Sequence, residues 1–242
     1  MDEMVKKAAQ IAGATLNEAQ LEKINALTLR TLTSEEVFTF KVAMCDNEVD
    51  RSYEVFPLAT LQELAPLYLG KTVISDHSRS ADRQVARIFD TAVIPGEGIT
   101  KSGEPYHQLV AYCYMLRTDT NQDLISEIEA GIKKEVSVGC AVQSAVCSVC
   151  GTDNRKHWCD HMPSKEYEGQ TCYFKLEGAW DAYELSFVAV PCQPAAGTTK
   201  SYGAEKPQEK TGTQPQIDAV KLYETYVFIE KERNETHEQE NA

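Results

Sequence analysis

The sequence predicts an α+β domain, mostly antiparallel sheet with peripheral helices, on three observations. Apolar residues recur with a period of two in roughly six segments, the signature of half-buried strands. Only two short stretches between them, LATLQELAPLYLG and TNQDLISEIEAG, carry helical spacing. A chain of 242 residues with 42% hydrophobic content is long enough to bury a sizeable core.

Residues 1–35 read as a helical N-terminal arm: Asn17 stands as an N-cap before EAQLEKINAL, with Leu21, Ile24 and Leu27 on one face. From Val37 the period becomes two. Phe38, Phe40, Val42 and Met44 fall on one side and Thr39 and Lys41 on the other, so a compact domain is placed at 36–197. After the polar turn DNEVDRS comes the first helix, with Leu58, Leu61 and Leu64 in register, an interruption at Pro66 and Gly70 as its stop. KTVISDHSRSADRQVARIFDTAVI reads as strand, polar loop and strand, followed by the glycine-bearing turn PGEGITKSGEP and the strand HQLVAYCYML. A helix ending at Gly131, the strand KEVSVGCAVQSAV and the strand WDAYELSFVAV complete the domain. Residues 198–242 read as a Gly, Thr, Lys, Pro and Gln-rich linker and a helical tail.

Charge excludes some function classes. With 37 acidic against 24 basic residues the net charge is -13, and such a field repels phosphate backbones, so nucleic acid is not an expected partner. No apolar run approaches the roughly 20 residues of a membrane span, and MDEMVKKAAQIAG lacks a signal-peptide core, so the chain is expected to stay where it is made, away from membranes. In a reducing compartment its 8 cysteines do not make a disulfide framework. Cys45, Cys113, Cys140 and Cys192 are scattered through apolar segments and read as small buried hydrophobes; Cys147, Cys150, Cys159 and Cys172 crowd one stretch.

That stretch, CSVCGTDNRKHWCDHMP, places C-x2-C, helped by Gly151, ahead of C-x-H, the pattern of a tetrahedral zinc site at Cys147, Cys150, Cys159 and His161. His157 or Cys172 could replace Cys159 or His161. Four protein ligands leave no open position, so the zinc is expected to be structural and to hold folded an insertion of about residues 146–173 that is too small for its own core.

Three further residues carry possible chemistry. In KEVSVGCAV, Val136, Val138, Cys140 and Val142 alternate onto one face and Ser137, Gly139 and Ala141 onto the other, setting a hydroxyl beside a glycine. His77 lies in the loop SDHSRS; His157 and His161 belong with the cysteines, His237 lies in the tail and His107 opens a strand. In WDAYELSFVAVP, Glu184 and Ser186 share a face, and a carboxylate in a half-apolar strand needs a partner such as an imidazole. On these residues alone, a half-buried hydroxyl, a loop histidine and a surface glutamate are the simpler readings.

The ordered set changes that. GKTVISDH with its following ARI strand, then KEVSVGCAV, then YELSFVAVPCQPAAG resembles the prohead (capsid maturation) proteases of tailed phages, distant relatives of the herpesvirus assemblins, over about residues 36–197. The resemblance implies a barrel-like, assemblin-like protease domain in which His77 is the general base, Ser137 the nucleophile and Glu184 the third member. The sequence departs from the family in its cysteine-rich insertion, which most members lack, and in PCQPAAG where the family more often has Pro-Ala-Asn-Pro. The family implies a serine endopeptidase that cuts scaffold, or the scaffold segment of the major capsid protein, and then itself, inside the procapsid in the host cytoplasm, as a homodimer. A catalytically inactive zinc-binding component of the procapsid is the alternative. Ser186, on the Glu184 face, is the other hydroxyl to consider as nucleophile.

Overall fold

The computed structural model describes residues 16–198; the expected linker and tail, and the first part of the arm, lie outside the described residues. The elements run α1 (Glu18–Asn25), β1 (Val37–Asp46), β2 (Glu54–Val55), α2 (Leu58–Leu67), β3 (Thr72–Ser75), β4 (Ala86–Ile99), β5 (Pro105–Leu116), α3 (Gln122–Glu129), β6 (Val136–Cys147), β7 (Glu166–Tyr167), β8 (Gln170–Thr171), β9 (Phe174–Phe187) and β10 (Gly197–Thr198). The fold is mixed α+β, mostly sheet with few helices.

Asn17 caps α1 as its sequence implies: its side chain accepts from Gln20 N–H at 2.8 Å while the Gln20 side chain accepts from Asn17 N–H, so two orphan donors of the first turn are satisfied together. Ile24 and Leu32 are buried with Phe89 and Tyr114, fastening residues 16–32 onto β4 and β5.

Eight strands form one mixed sheet in the order β10-β1-β5-β4-β3-β9-β2, with β6 pairing β9 along its other edge, and β7 and β8 pair separately as a small hairpin. The expected antiparallel ladders are present in β1–β5, β4–β5 and β6–β9, but β2 and β3 pair β9 in parallel. The cause is that the chain from Glu54 to Ser75 runs beside β9 in the same direction, with α2 as an excursion between the two short contacts. Pro66 does not break α2: it sits in the last turn, and the chain leaves through Gly70 at φ 75°.

The expected barrel is corrected. The sheet is not closed; among the described residues its far edges approach through β10 and an isolated bridge between Glu135 and Gly197. The strand that would seal it is two residues long and follows the proline-bearing segment 191–196, whose prolines offer no ladder donors.

β9 organises the functional regions. One face of β3, β9 and β6 belongs to the main core through Val73, Leu185 and Val136, covered by Leu61, Leu64 and the fully buried Tyr68 of the α2 segment. The opposite face, which by alternation bears Ile74, Glu184, Ser186, Ser137 and Gly139, lies under the loop that leaves β3. Cys45 and Cys113 are core residues as expected, Cys140 is half-buried, and Cys192 is exposed, contrary to expectation, because it lies past the last long strand.

Candidate functional site: a histidine-carboxylate pair over paired strands, and a metal cluster at their far end

The loop after β3 turns sharply. Asp76 and His77 both adopt left-handed backbone, φ 54° and 51°, a conformation that costs a non-glycine residue on the order of 1 kcal/mol and needs anchoring. The anchors come from β9: Asp76 N–H donates to Phe187 O at 2.9 Å, and His77 N–H donates to Ser186 Oγ at 2.8 Å. The turn lowers the imidazole onto Glu184, and Nδ1 lies 2.8 Å from Oε1.

This pairing answers the charge problem posed by the sequence. Glu184 is 7% exposed, and a carboxylate there requires a donor. Hydrogen bonding to Glu184 raises the His77 pKa above its ordinary value, against the opposing effect of partial burial. With Nδ1 committed to Glu184, the neutral ring carries its proton on Nδ1 and offers the Nε2 lone pair on a side chain 45% exposed. Glu184 Oε2 is buried without a hydrogen-bond partner.

Register brings Ser137 to the same place. In the β6–β9 ladder Ser137 stands opposite Ser186 and Gly139 opposite Glu184. Directly opposed residues share a face with Cβ atoms about 5 Å apart, so Ser137 neighbours the hydroxyl that holds His77. Among the described residues no hydrogen bond joins Ser137 Oγ to the imidazole. Gly139 is required by close approach: a Cβ there would collide with Glu184 Oε1 and lie 3.2 Å from its Cδ. Beneath it, Tyr68 Oη donates to Gly139 O at 3.0 Å and fixes the strand from the core side.

Ser186 is not available as a nucleophile. It is 0% exposed, and its hydroxyl accepts from His77 N–H and donates to Phe187 O at 3.3 Å. Its part is to hold the turn. Sequence reasoning missed this, although Asp-His, a pair of residue types enriched in left-handed backbone, directly after a strand was a signal that the loop needed an anchor.

The second constellation lies at the far end of β6. Cys147, Cys150, Cys159 and His161 bring their donor atoms within 4.8 Å of one another, near the edge of about 3.8 Å for a tetrahedron with zinc-thiolate bonds. These are the four residues expected from spacing, and the cluster could hold a metal ion. Gly151, at φ 75°, closes the C-x2-C turn by donating to Cys147 O at 2.9 Å. Asn154 Oδ1 accepts from Cys159 N–H at 2.9 Å, and Tyr167 packs edge-on against His161 at 4.6 Å.

The donor chemistry suits a cation. His161 Nδ1 is buried with no hydrogen-bond partner, an orphan that a metal bond would satisfy. Hydrogen bonding by the Thr152 hydroxyl and then its backbone pulls the Cys150 thiol down to about 6, into thiolate at neutral pH. The two alternative ligands separate. His157 is exposed and stands outside the cluster; Cys172 is fully buried with Sγ 3.9 Å from Cys147 Sγ, and burial pushes its thiol up to about 12. The insertion leans on β6 through Arg155, whose Nη1 donates to Val142 O at 2.6 Å, and through Asp153, whose Oδ1 accepts from Ala145 N–H at 3.1 Å.

Comparison of the chain with family models, with curated proteins and with solved structures finds no match. No helix of the described residues is long and apolar enough to cross a membrane.

Proposed function

We propose that the protein is a prohead maturation serine endopeptidase of a tailed phage, with Ser137 as nucleophile, His77 as general base and then acid, and Glu184 as the group that orients and charge-stabilises His77. The observation that carries the reading is the 2.8 Å contact of His77 Nδ1 with the buried Glu184 Oε1, made on the strand whose neighbour carries Ser137. That arrangement leaves Nε2 to accept the hydroxyl proton as Oγ attacks the scissile carbonyl, and to return it to the departing amine. Water then cleaves the acyl-enzyme by the same exchange in reverse. The ordered resemblance of the three sequence blocks narrows the substrate to scaffold protein, or the scaffold segment of the major capsid protein, and the protease itself. The setting would be the procapsid in the host cytoplasm, where a weak homodimer becomes populated at high local concentration.

The bound metal in this reading is a structural zinc held by Cys147, Cys150, Cys159 and His161. Zinc would cross-link the insertion; a full set of four protein ligands gives no place for a reacting water. Distance argues the same way, since Ser137 and Cys147 sit at opposite ends of β6, about 30 Å of strand at ~3.3 Å per residue.

The test is co-expression of the full chain with its capsid and scaffold proteins. Ser137→Ala should abolish cleavage, a loss of at least about 1,000-fold. Unchanged cleavage would remove Ser137 from the mechanism. A second reading, a procapsid component that keeps the fold and the zinc without activity, is favoured by the missing hydrogen bond between Ser137 and His77; it predicts no adduct at Ser137 after treatment with a fluorophosphonate under assembly conditions.

A further inference from the structure

Beside the His77–Glu184 pair runs an open groove of about 480 Å³, lined by Thr72, Ile74, Ala182 and Glu184 on its floor and by Lys71 and Arg79 at its sides. Its lining carries two cations, Lys71 and Arg79, and one carboxylate, Glu184. Lys71 is shared with Asp181 at 3.4 Å, whereas Arg79 has no carboxylate within ion-pair distance and no hydrogen bond among the described residues. The guanidinium carbon lies over the Tyr183 ring, 5.4 Å from its centroid, a cation–π contact that leaves the N–H donors unspent. Arg79 follows His77 by two residues in the same anchored loop, and that loop therefore sets where its charge stands relative to the imidazole.

We propose that Arg79 reads an acidic side chain of the peptide substrate close to the scissile bond. The inference rests on the endopeptidase reading above. An arginine held over an aromatic ring with its donors free is suited to bidentate pairing with a carboxylate, and in a chain of net charge -13 such a cation beside the reacting groups selects an acidic peptide that the rest of the surface repels.

The experiment uses the full chain and a peptide library of known sequence, with cut sites read by mass spectrometry and Ser137→Ala as the blank. Wild-type cuts should be enriched in Asp or Glu at one fixed position near the scissile bond. For a peptide with Glu at that position and its Gln counterpart, the ratio of kcat/KM should fall about 10- to 100-fold in Arg79→Gln, and Arg79→Glu should shift the enrichment to Lys or Arg. Ser137-dependent cuts with no acidic preference, or a preference that survives Arg79→Glu, would overturn the assignment of Arg79 and leave the endopeptidase standing. Absence of any Ser137-dependent cut, here and in co-expression, would overturn both.

Discussion

The two ends of the β6–β9 pair are built by opposite routes. At the Cys147 end, four donors arrive from one short stretch, Cys147 to His161, and a glycine turn with a few loop hydrogen bonds brings them together. At the Ser137 end, His77, Ser137 and Glu184 come from three distant segments and meet only because β3 and β6 flank the same stretch of β9. A local site depends on its ligand bonds, and a dispersed one on strand register. Disturbances should therefore act differently at the two ends.

The largest effect should come from breaking the dispersed end at its charge. Glu184→Gln should lower kcat/KM by about 1,000- to 10,000-fold while the chain stays folded, measured on a cleavable peptide with circular dichroism as the control. The sign of the pH effect follows from the raised His77 pKa. The base must be neutral, so activity falls as pH drops through that value. Removing the carboxylate lowers it, and the acid limb of the residual activity should move to lower pH.

Gly139→Ala sharpens the comparison through sterics alone, because Gly139 is not among the residues with positive φ and its backbone suits alanine. The added Cβ must displace the Glu184 carboxylate from His77, and a shift on the order of 1 Å should cost about 100-fold in kcat. Stability should change little, which a thermal melt will check.

The metal end should show the converse. Chelation, or Cys159→Ser, should lower Tm by about 10 °C, roughly 3–5 kcal/mol for a domain of this size, and expose the 148–172 loop to proteolysis first. Cleavage by the surviving folded fraction should change less than about tenfold; a complete loss of activity without unfolding would tie the metal to the chemistry.

The smallest effect lies beside the metal end but involves no ligand, since Glu54 pairs with Phe174, the β9 partner of Cys147. Burial pushes Glu54 up to about 7 and Asp50 up to about 6 at the turn beside β2. A carboxyl whose folded pKa is raised contributes its stability below its unfolded value and loses it as pH climbs through the folded one. Glu54→Gln should thus stabilise the chain by on the order of 1 kcal/mol at pH 8 and by much less at pH 5, read by urea melts at the two values.

The sequence by itself determined what depends on near neighbours. The Asn17 cap, the alternation that turns Val136 and Ser137 to opposite faces, and the Cys-x2-Cys, Cys-x-His cluster all arise from interactions spanning fewer than about 15 residues, where the chain's own geometry fixes what can meet. Residue types also marked His77, Ser137 and Glu184, but no spacing connects them. Only the tertiary structure decided that β3 lies parallel to β9 with Ile74 opposite Ser186, which delivers the His77 turn onto Glu184, and that Ser186 is an anchor and not a nucleophile. It likewise decided against the barrel. Register and closure depend on contacts between strands far apart in sequence, and a shift of one residue in β6 would turn Ser137 into the core and leave the same sequence without its site.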